Sequence, residues 1–102
     1  KMKIRKFVSE REWEKYHTPR NLAESISIEA SELLELFQWS LKEEESLVDP
    51  AQLADELADI LIYCLSLSNA AAIDVTRAVL GKLRENEERY PKETNKGVFV
   101  RR

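Results

Sequence analysis

The sequence has 102 residues and a net charge of −3, a length that suits one domain with a modest core. Two glycines, three prolines and a large share of Ala, Glu, Lys, Leu and Arg indicate long helices with short connections and exclude an all-β fold. The acidic balance argues against a nucleic-acid polymer as a partner. The longest uncharged stretch, residues 60–73, is too short to span a bilayer, so we expect neither a membrane partner nor a signal peptide. A single cysteine predicts a reducing, cytoplasmic location.

Prolines divide the first half of the chain into predicted elements. A first helix is expected over residues 4–16, and it ends before Pro19 because the residue that precedes a proline avoids helical backbone angles. Asn21 is then predicted to cap a second helix that extends to about residue 41. The acidic stretch 42–49 is predicted to be a loop.

The second half of the chain carries two clear helix starts. Asp49 and Pro50 combine a capping side chain with a proline at the first helical position, which predicts a third helix as far as about residue 72. Asp74 is predicted to cap a fourth helix that ends near Tyr90.

The third helix predicts how the domain packs. Its segment 57–67 is apolar on nearly every face, and such a helix must be covered on several sides. Three companion helices from so short a chain would leave part of it exposed, so we expect a partner subunit. The sequence thus predicts an all-α fold, a four-helix bundle completed by self-association. We expect a single domain over residues 1–102, with a helical core at about 4–90 and a tail at 91–102.

Two pairs of carboxylates stand out by position. Glu29 and Glu32 lie three residues apart on the second helix, and Glu56 and Asp59 lie three apart on the third. Residues at that spacing share a helix face, so each pair converges on one patch. Spacing alone is weak, because acids this frequent form such pairs by chance. Glu29, however, falls in line with the apolar stripe of its helix, and the second pair interrupts an otherwise apolar segment.

Carboxylates brought together in a poorly hydrated groove repel one another unless a cation neutralises them. Since every candidate ligand atom is an oxygen, Mg²⁺ is the expected ion and Mn²⁺ its substitute, whereas zinc would need more His or Cys side chains. The di-iron motif Glu-x-x-His is also a poor match. A carboxylate-bound Mg²⁺ completes its shell with water and substrate phosphates, which indicates phosphoryl or nucleotidyl chemistry. The competing interpretation is a non-catalytic, oligomeric helical interaction module with a solvated acidic face.

The carboxylate pattern has specific flanking segments, which are residues 12–22, 35–39, 59–63 and 82–91. Together with Glu29-x-x-Glu32 and Glu56-x-x-Asp59, these segments resemble the MazG-type all-α NTP pyrophosphatases, in particular their single-domain dCTP-pyrophosphatase-like branch. The resemblance implies a Mg²⁺-dependent enzyme that hydrolyses a nucleoside triphosphate, with dCTP or a modified dCTP favoured, to the monophosphate and pyrophosphate. Such enzymes clean the nucleotide pool, and they assemble as dimers or tetramers with sites between subunits.

The resemblance also implies roles for two sets of residues. The metal ligands, which also serve catalysis, are Glu29, Glu32, Glu56 and Asp59. The substrate-binding residues are Trp13, His17, Trp39, Tyr63, Lys82 and Asn86. Simpler interpretations compete with these roles, since tryptophans pack in cores and interfaces, a lone histidine is commonly a cap or surface residue, and lysines are mostly exposed.

Overall fold

The computed structural model describes residues 2–97, except the side chains of Ser46 and Asn95, and it contains no strand in that range. Five α-helices follow one another, α1 Met2–Glu10, α2 Pro19–Glu35, α3 Pro50–Ala70, α4 Val75–Arg89 and α5 Lys92–Asn95. Short 3₁₀ helices occupy Glu14–Tyr16 and Lys42–Leu47. The predicted all-α class is confirmed, and the four longer helices are the four expected from the sequence.

Local capping explains where two helices begin. α3 starts as predicted, because the Asp49 side chain accepts a hydrogen bond from the Ala51 amide at 3.0 Å. α4 also starts as predicted, since the Asp74 side chain accepts from the Arg77 amide at 3.1 Å. Each start depends on one side chain and on backbone two or three residues away, so the sequence alone indicates it.

The start of α2 differs from the prediction. Thr18, not Asn21, is the capping residue, and its hydroxyl accepts from the Asn21 amide at 3.2 Å. The Asn21 side chain instead donates to the Tyr16 carbonyl at 3.1 Å. Thr18 takes the cap because Pro19, which follows it, has a fixed backbone angle suited to the first helical position.

α1 ends earlier than the predicted residue 16. Glu12 has a φ of 54°, in the left-handed region, and the chain turns there so that the Trp13 amide donates to the Val8 carbonyl at 3.1 Å. The indole then packs on Phe7, with ring centroids 5.7 Å apart. No periodicity rule indicates this turn, so the helix was predicted too long.

α2 ends at Glu35, short of the predicted residue 41. The next three amides donate to carbonyls three residues back, so the chain tightens into successive turns. Trp39 follows with a φ of 67°, a left-handed angle that a bulky residue rarely adopts and that ends helical continuation.

Two segments predicted to be irregular contain short helices. The predicted loop at 42–49 includes Lys42–Leu47, at whose start the Glu44 side chain accepts from the Leu41 amide at 3.1 Å. The predicted tail at 91–102 includes α5, and residues 98–102 lie outside the described residues. Both helices are too short to show a helical period in the sequence.

The chain divides after Ala72 into two compact units. In the first unit, α3 packs against both α2 and α1. Val8 of α1 and Leu22 of α2 are the buried apolar side chains among the described residues. The second unit contains α4 and α5. The acidic pairs on α2 and α3 thus belong to one unit.

Large apolar side chains remain exposed on α3, namely Leu57, Leu61 and Ile62. The described part of the chain therefore does not give this helix the cover that its composition predicts. Self-association, the expected source of that cover, stays a prediction. No single helix in the described range is long and apolar enough to cross a membrane, and only α3 and α4 counted together as one broken span pass on length and composition.

Candidate active site

Three carboxylates meet where α2 packs against α3. Glu29 and Glu32 share a face of α2, and Glu56 reaches the same place from α3. One oxygen of each carboxylate lies within 4.8 Å of an oxygen of each of the others, and all three residues are half-buried. Helix packing thus brings Glu56, from the pair predicted on α3, next to the pair predicted on α2. We call these three residues the carboxylate cluster.

The carboxylate cluster is electrostatically unfavourable without a counter-charge. A hydrogen bond with Glu32 raises the pKa of Glu29 to about 7, with further contributions from burial and from the charges of Glu32, Asp59 and Glu56. Burial first, and then the charges of Glu32 and Asp59, raise the pKa of Glu56. The cluster therefore retains a proton close to neutral pH.

Two oxygens of the carboxylate cluster have no hydrogen-bond partner among the described residues. They are the Oε2 atoms of Glu29 and Glu56, and both are buried. Buried carboxylate oxygens are costly unless they are hydrogen-bonded, ion-paired or bound to a metal. A set of ligands made of oxygen alone suits a hard divalent cation. The residues present therefore fit such an ion.

Asp59, the fourth predicted ligand, is exposed, yet its charge raises the pKa of both Glu29 and Glu56. Its side chain also lines a groove of about 440 Å³ between α1 and α3. Three of the predicted substrate-binding residues line the same groove, namely Trp13, His17 and Tyr63. Asp59 thus links the carboxylate cluster to this groove.

Neighbouring side chains hold the aromatic wall of the groove. The Trp13 and Phe7 rings meet at 76° with centroids 5.7 Å apart. The Arg11 guanidinium lies 3.8 Å from the Phe7 ring centroid and 6.0 Å from that of Trp13. Its Nη1 also donates to the Phe7 carbonyl at 3.1 Å. Contacts within the chain therefore position the indole before any ligand binds.

A second compartment, of about 360 Å³, continues the groove away from Asp59. The residues that line both spaces are Ile4, Val8, His17 and Ser66. Arg5 and Asn69 line only the second compartment, and Arg5 Nη2 donates to Asn69 Oδ1 at 3.3 Å. This hydrogen bond joins α1 to α3 at the far end of the groove.

The remaining predicted substrate residues are not among those that line the groove or its second compartment. Trp39 follows α2, is 92% exposed and does not line the groove. Lys82 forms an exposed ion pair with Glu85 at 3.4 Å, and Asn86 lies about one turn further along α4 in the second unit. Their roles stay predictions.

The sequence predicts no role for Arg5, Phe7, Ser66 and Asn69, which line the groove or its second compartment. It also predicts none for Arg11, which contacts the Phe7 and Trp13 rings. Helical spacing in the sequence could have indicated Ser66, which lies two turns after Asp59, and Asn69, three residues after Ser66. No sequence pattern indicates Arg5, since its hydrogen-bond partner Asn69 is 64 residues away along the chain. Phe7 and Arg11 contact Trp13 only because the chain turns at Glu12.

Comparison with known proteins agrees with the sequence resemblance. A sequence profile of the MazG-like family matches residues 24–99, a range that includes all four predicted metal ligands. Among solved structures, a pyrophosphatase from Archaeoglobus fulgidus superposes with a TM-score of 0.82 at 48% sequence identity. The superposition covers 87% of this chain and 86% of that one.

Curated relatives point in the same direction. The dCTP pyrophosphatase 1 of Bos taurus is 43% identical over 96 residues, which are 89% of this chain and 57% of that protein. The Homo sapiens protein of the same name is 42% identical over 90 residues, which are 83% of this chain and 53% of that protein. The chain thus spans little more than half the length of these relatives.

Proposed function

Since the chain belongs to the MazG-like family, we propose that it is a divalent-metal-dependent nucleoside triphosphate pyrophosphohydrolase. The reaction adds water to a nucleoside triphosphate and releases the nucleoside monophosphate and pyrophosphate, as a house-cleaning step on the nucleotide pool. The observation that carries this proposal is the carboxylate cluster with its two buried, unpartnered oxygens. A non-catalytic acidic face would be solvated and would leave no such oxygens.

Mg²⁺ is the proposed cofactor, with Mn²⁺ as a substitute. Glu29, Glu32 and Glu56 would hold the ion, and Asp59 would extend the ligand set toward the groove. When bound, the ion supplies neutralisation of phosphate charge and a water of lowered pKa. The chain itself contributes a fixed, half-buried set of oxygens, and Glu29 must release its proton for the full negative charge to develop.

We propose that the groove binds the nucleoside beside this phosphate site. The Trp13 indole offers a face on which a base could stack, an interaction worth about 1–3 kcal/mol. His17 and Tyr63 line the same space and offer polar atoms to the sugar or base. The relatives named dCTP pyrophosphatase favour dCTP or a modified dCTP as the substrate.

The resemblance supports three further contacts. Lys82 would act as a point charge on the phosphates, and Asn86, one helical turn along, would donate a neutral hydrogen bond. Trp39 would complete the base pocket from another subunit. Its exposure of 92% fits a side chain that awaits a second surface.

Assembly as a dimer or tetramer belongs to the same proposal. Apolar side chains are exposed on α3 and around the end of α2, where Leu34 is 71% and Leu41 65% exposed. Such a surface is typical of a protein that buries it against a partner. A second copy of the chain would cover it, and the molar mass in solution tests this.

The cellular setting follows from the substrate. An enzyme that acts on the free nucleotide pool is expected in the cytoplasm. The net charge of −3 disfavours a nucleic-acid polymer, and we propose no membrane partner. We propose that residues 1–102 form one domain in which this activity resides.

A panel assay tests the function directly. The protein with Mg²⁺ is given each canonical NTP and dNTP and also 5-methyl-dCTP, and the products are separated by chromatography. We expect a monophosphate and pyrophosphate in equal amounts, most rapidly from a cytosine nucleotide, and no products with EDTA. Absence of turnover on the whole panel with either Mg²⁺ or Mn²⁺ would overturn the proposal.

Thermal unfolding separates the enzyme from the non-catalytic module. A ligand that binds only the folded state raises the unfolding temperature. We therefore expect Mg²⁺ with a nucleotide to raise it more than Mg²⁺ alone. An interaction module with a solvated acidic face would show no nucleotide-dependent rise.

A further inference from the structure

The groove has two ends with different chemistry. Asp59 marks the acidic end, and Arg5 with Asn69 marks the other end. Asp59 and Asn69 are ten residues apart on α3, a separation of about 15 Å along the helix axis. Trp13 and His17 line the space between them. The wall therefore has Asp59 at one end, aromatic side chains in the middle, and the hydrogen-bonded Arg5 and Asn69, together with Glu14, in the far compartment.

A nucleotide has the same order of groups. With its phosphates at the carboxylate cluster and its base on Trp13, the edge of the base that lies away from the sugar points into the second compartment. Arg5 and Asn69 are the charged and amide side chains that bridge the two helices there. We propose that these two residues read the nucleobase edge and select a cytosine-type edge, an inference that rests on the proposed function.

The hydrogen bond between the two side chains fixes what each can offer. A guanidinium has only donors, so the atom of Asn69 that faces Arg5 must be the carbonyl oxygen Oδ1. This oxygen has a second lone pair, which remains an acceptor for a ligand. Arg5 keeps further N–H groups beyond the one that this bond uses. The pair therefore presents an acceptor directly beside donors.

A cytosine edge matches that pattern and a uracil or thymine edge does not. Cytosine presents its 4-amino donor next to the acceptors N3 and O2, so the amino group faces Asn69 Oδ1 and the acceptors face Arg5. Uracil and thymine present a carbonyl oxygen at position 4 and an N–H at position 3. These groups would oppose acceptor to acceptor and donor to donor, and such mismatches weaken binding.

Binding of monophosphates tests the inference independently of turnover. The affinities of dCMP and dUMP, which differ only at the base edge, are measured by calorimetry for the wild-type chain, Arg5→Met and Asn69→Ala. Lys6→Met is the matched control, because Lys6 is an exposed neighbour on α1 that lines neither compartment. Circular dichroism establishes that each variant is folded. If Arg5→Met does not fold, Asn69→Ala alone tests the inference.

We expect the wild type to bind dCMP at least about tenfold more tightly than dUMP. That ratio should fall by about tenfold in Arg5→Met and in Asn69→Ala, and should stay unchanged in Lys6→Met. Equal affinities in the wild type, no detectable binding of either ligand, or an unchanged ratio in the folded variants would each overturn the inference. Base-selective binding without any hydrolysis would overturn the proposed function and leave this inference in place.

Discussion

The two sides of the candidate site are built in opposite ways. On the groove side, Arg11, Phe7 and Trp13 contact one another, so the aromatic wall is satisfied within the chain. On the acidic side, Glu29 and Glu56 each keep a buried oxygen without a partner among the described residues, and both have a raised pKa. The comparison indicates that the aromatic side is organised by contacts within the chain, whereas the acidic side lacks a counter-charge among the described residues.

On the acidic side, Glu29→Gln should have the largest effect on activity. Removing one ligand charge should lower turnover by at least about a hundredfold, because metal affinity depends on every charged ligand. The unfolding temperature of the metal-free protein should not fall, since the substitution also removes repulsion. Steady-state kinetics and thermal unfolding measure both effects. Glu35→Gln, on an exposed residue of the same helix, is the control and should behave as wild type; wild-type turnover in Glu29→Gln would contradict the metal assignment.

Arg11→Ala should loosen the groove side with a smaller effect. Loss of the guanidinium from the Phe7 and Trp13 rings removes roughly 0.5–1 kcal/mol of cation–π attraction, which corresponds to about a two- to fivefold rise in KM. The kcat should be unchanged, because Arg11 contacts the Phe7 and Trp13 rings and belongs neither to the groove lining nor to the carboxylate cluster. The matched control is Lys15→Ala, whose ammonium lies 5.2 Å from the centroid of the Tyr16 ring and outside the groove. An equal rise in KM in the control would show that any loss of an aromatic-stacked cation has this effect.

The pH dependence of stability tests the same comparison through the protonation of the acidic side. The pKa of Glu29 is about 7 in the folded state against an ordinary 4.5, so the folded state binds more protons between these values. The free energy of unfolding of the metal-free protein should therefore fall as pH rises through this interval and level off above it. Glu29→Gln should flatten the profile, as measured by urea denaturation in EDTA. Mg²⁺ should stabilise the wild type more at pH 8 than at pH 5.5, because protons compete with the ion.

Helix starts could be predicted from the sequence better than helix ends. Asp49 and Asp74 cap α3 and α4 as expected, because capping is chemistry between near neighbours. The ends of α1 and α2 were predicted too late, since each depends on a non-glycine residue with positive φ, Glu12 or Trp39. Side-chain type does not indicate that a residue adopts such an angle.

The candidate site divides in the same way. Helical spacing predicts that Glu29 and Glu32 share a face of α2, whereas only the family resemblance predicts that Glu56 of α3 joins them. The hydrogen bond between Arg5 and Asn69 could not be foreseen, since it requires the position of α1 on α3. Periodicity describes one helix at a time and carries no information about which residues of two helices are opposite.

The backbone angle of Trp39 bears on which residues selection would keep at this position. At a φ of 67° a tryptophan is held in a conformation that costs on the order of 1–3 kcal/mol and that glycine adopts freely. Because the side chain is 92% exposed, little packing within the described part of the chain offsets that cost. A library of variants sorted only for folded protein should therefore enrich glycine or asparagine at position 39. The same library sorted for nucleotide turnover should keep an aromatic residue there, so the two sorts would drive one position in opposite directions.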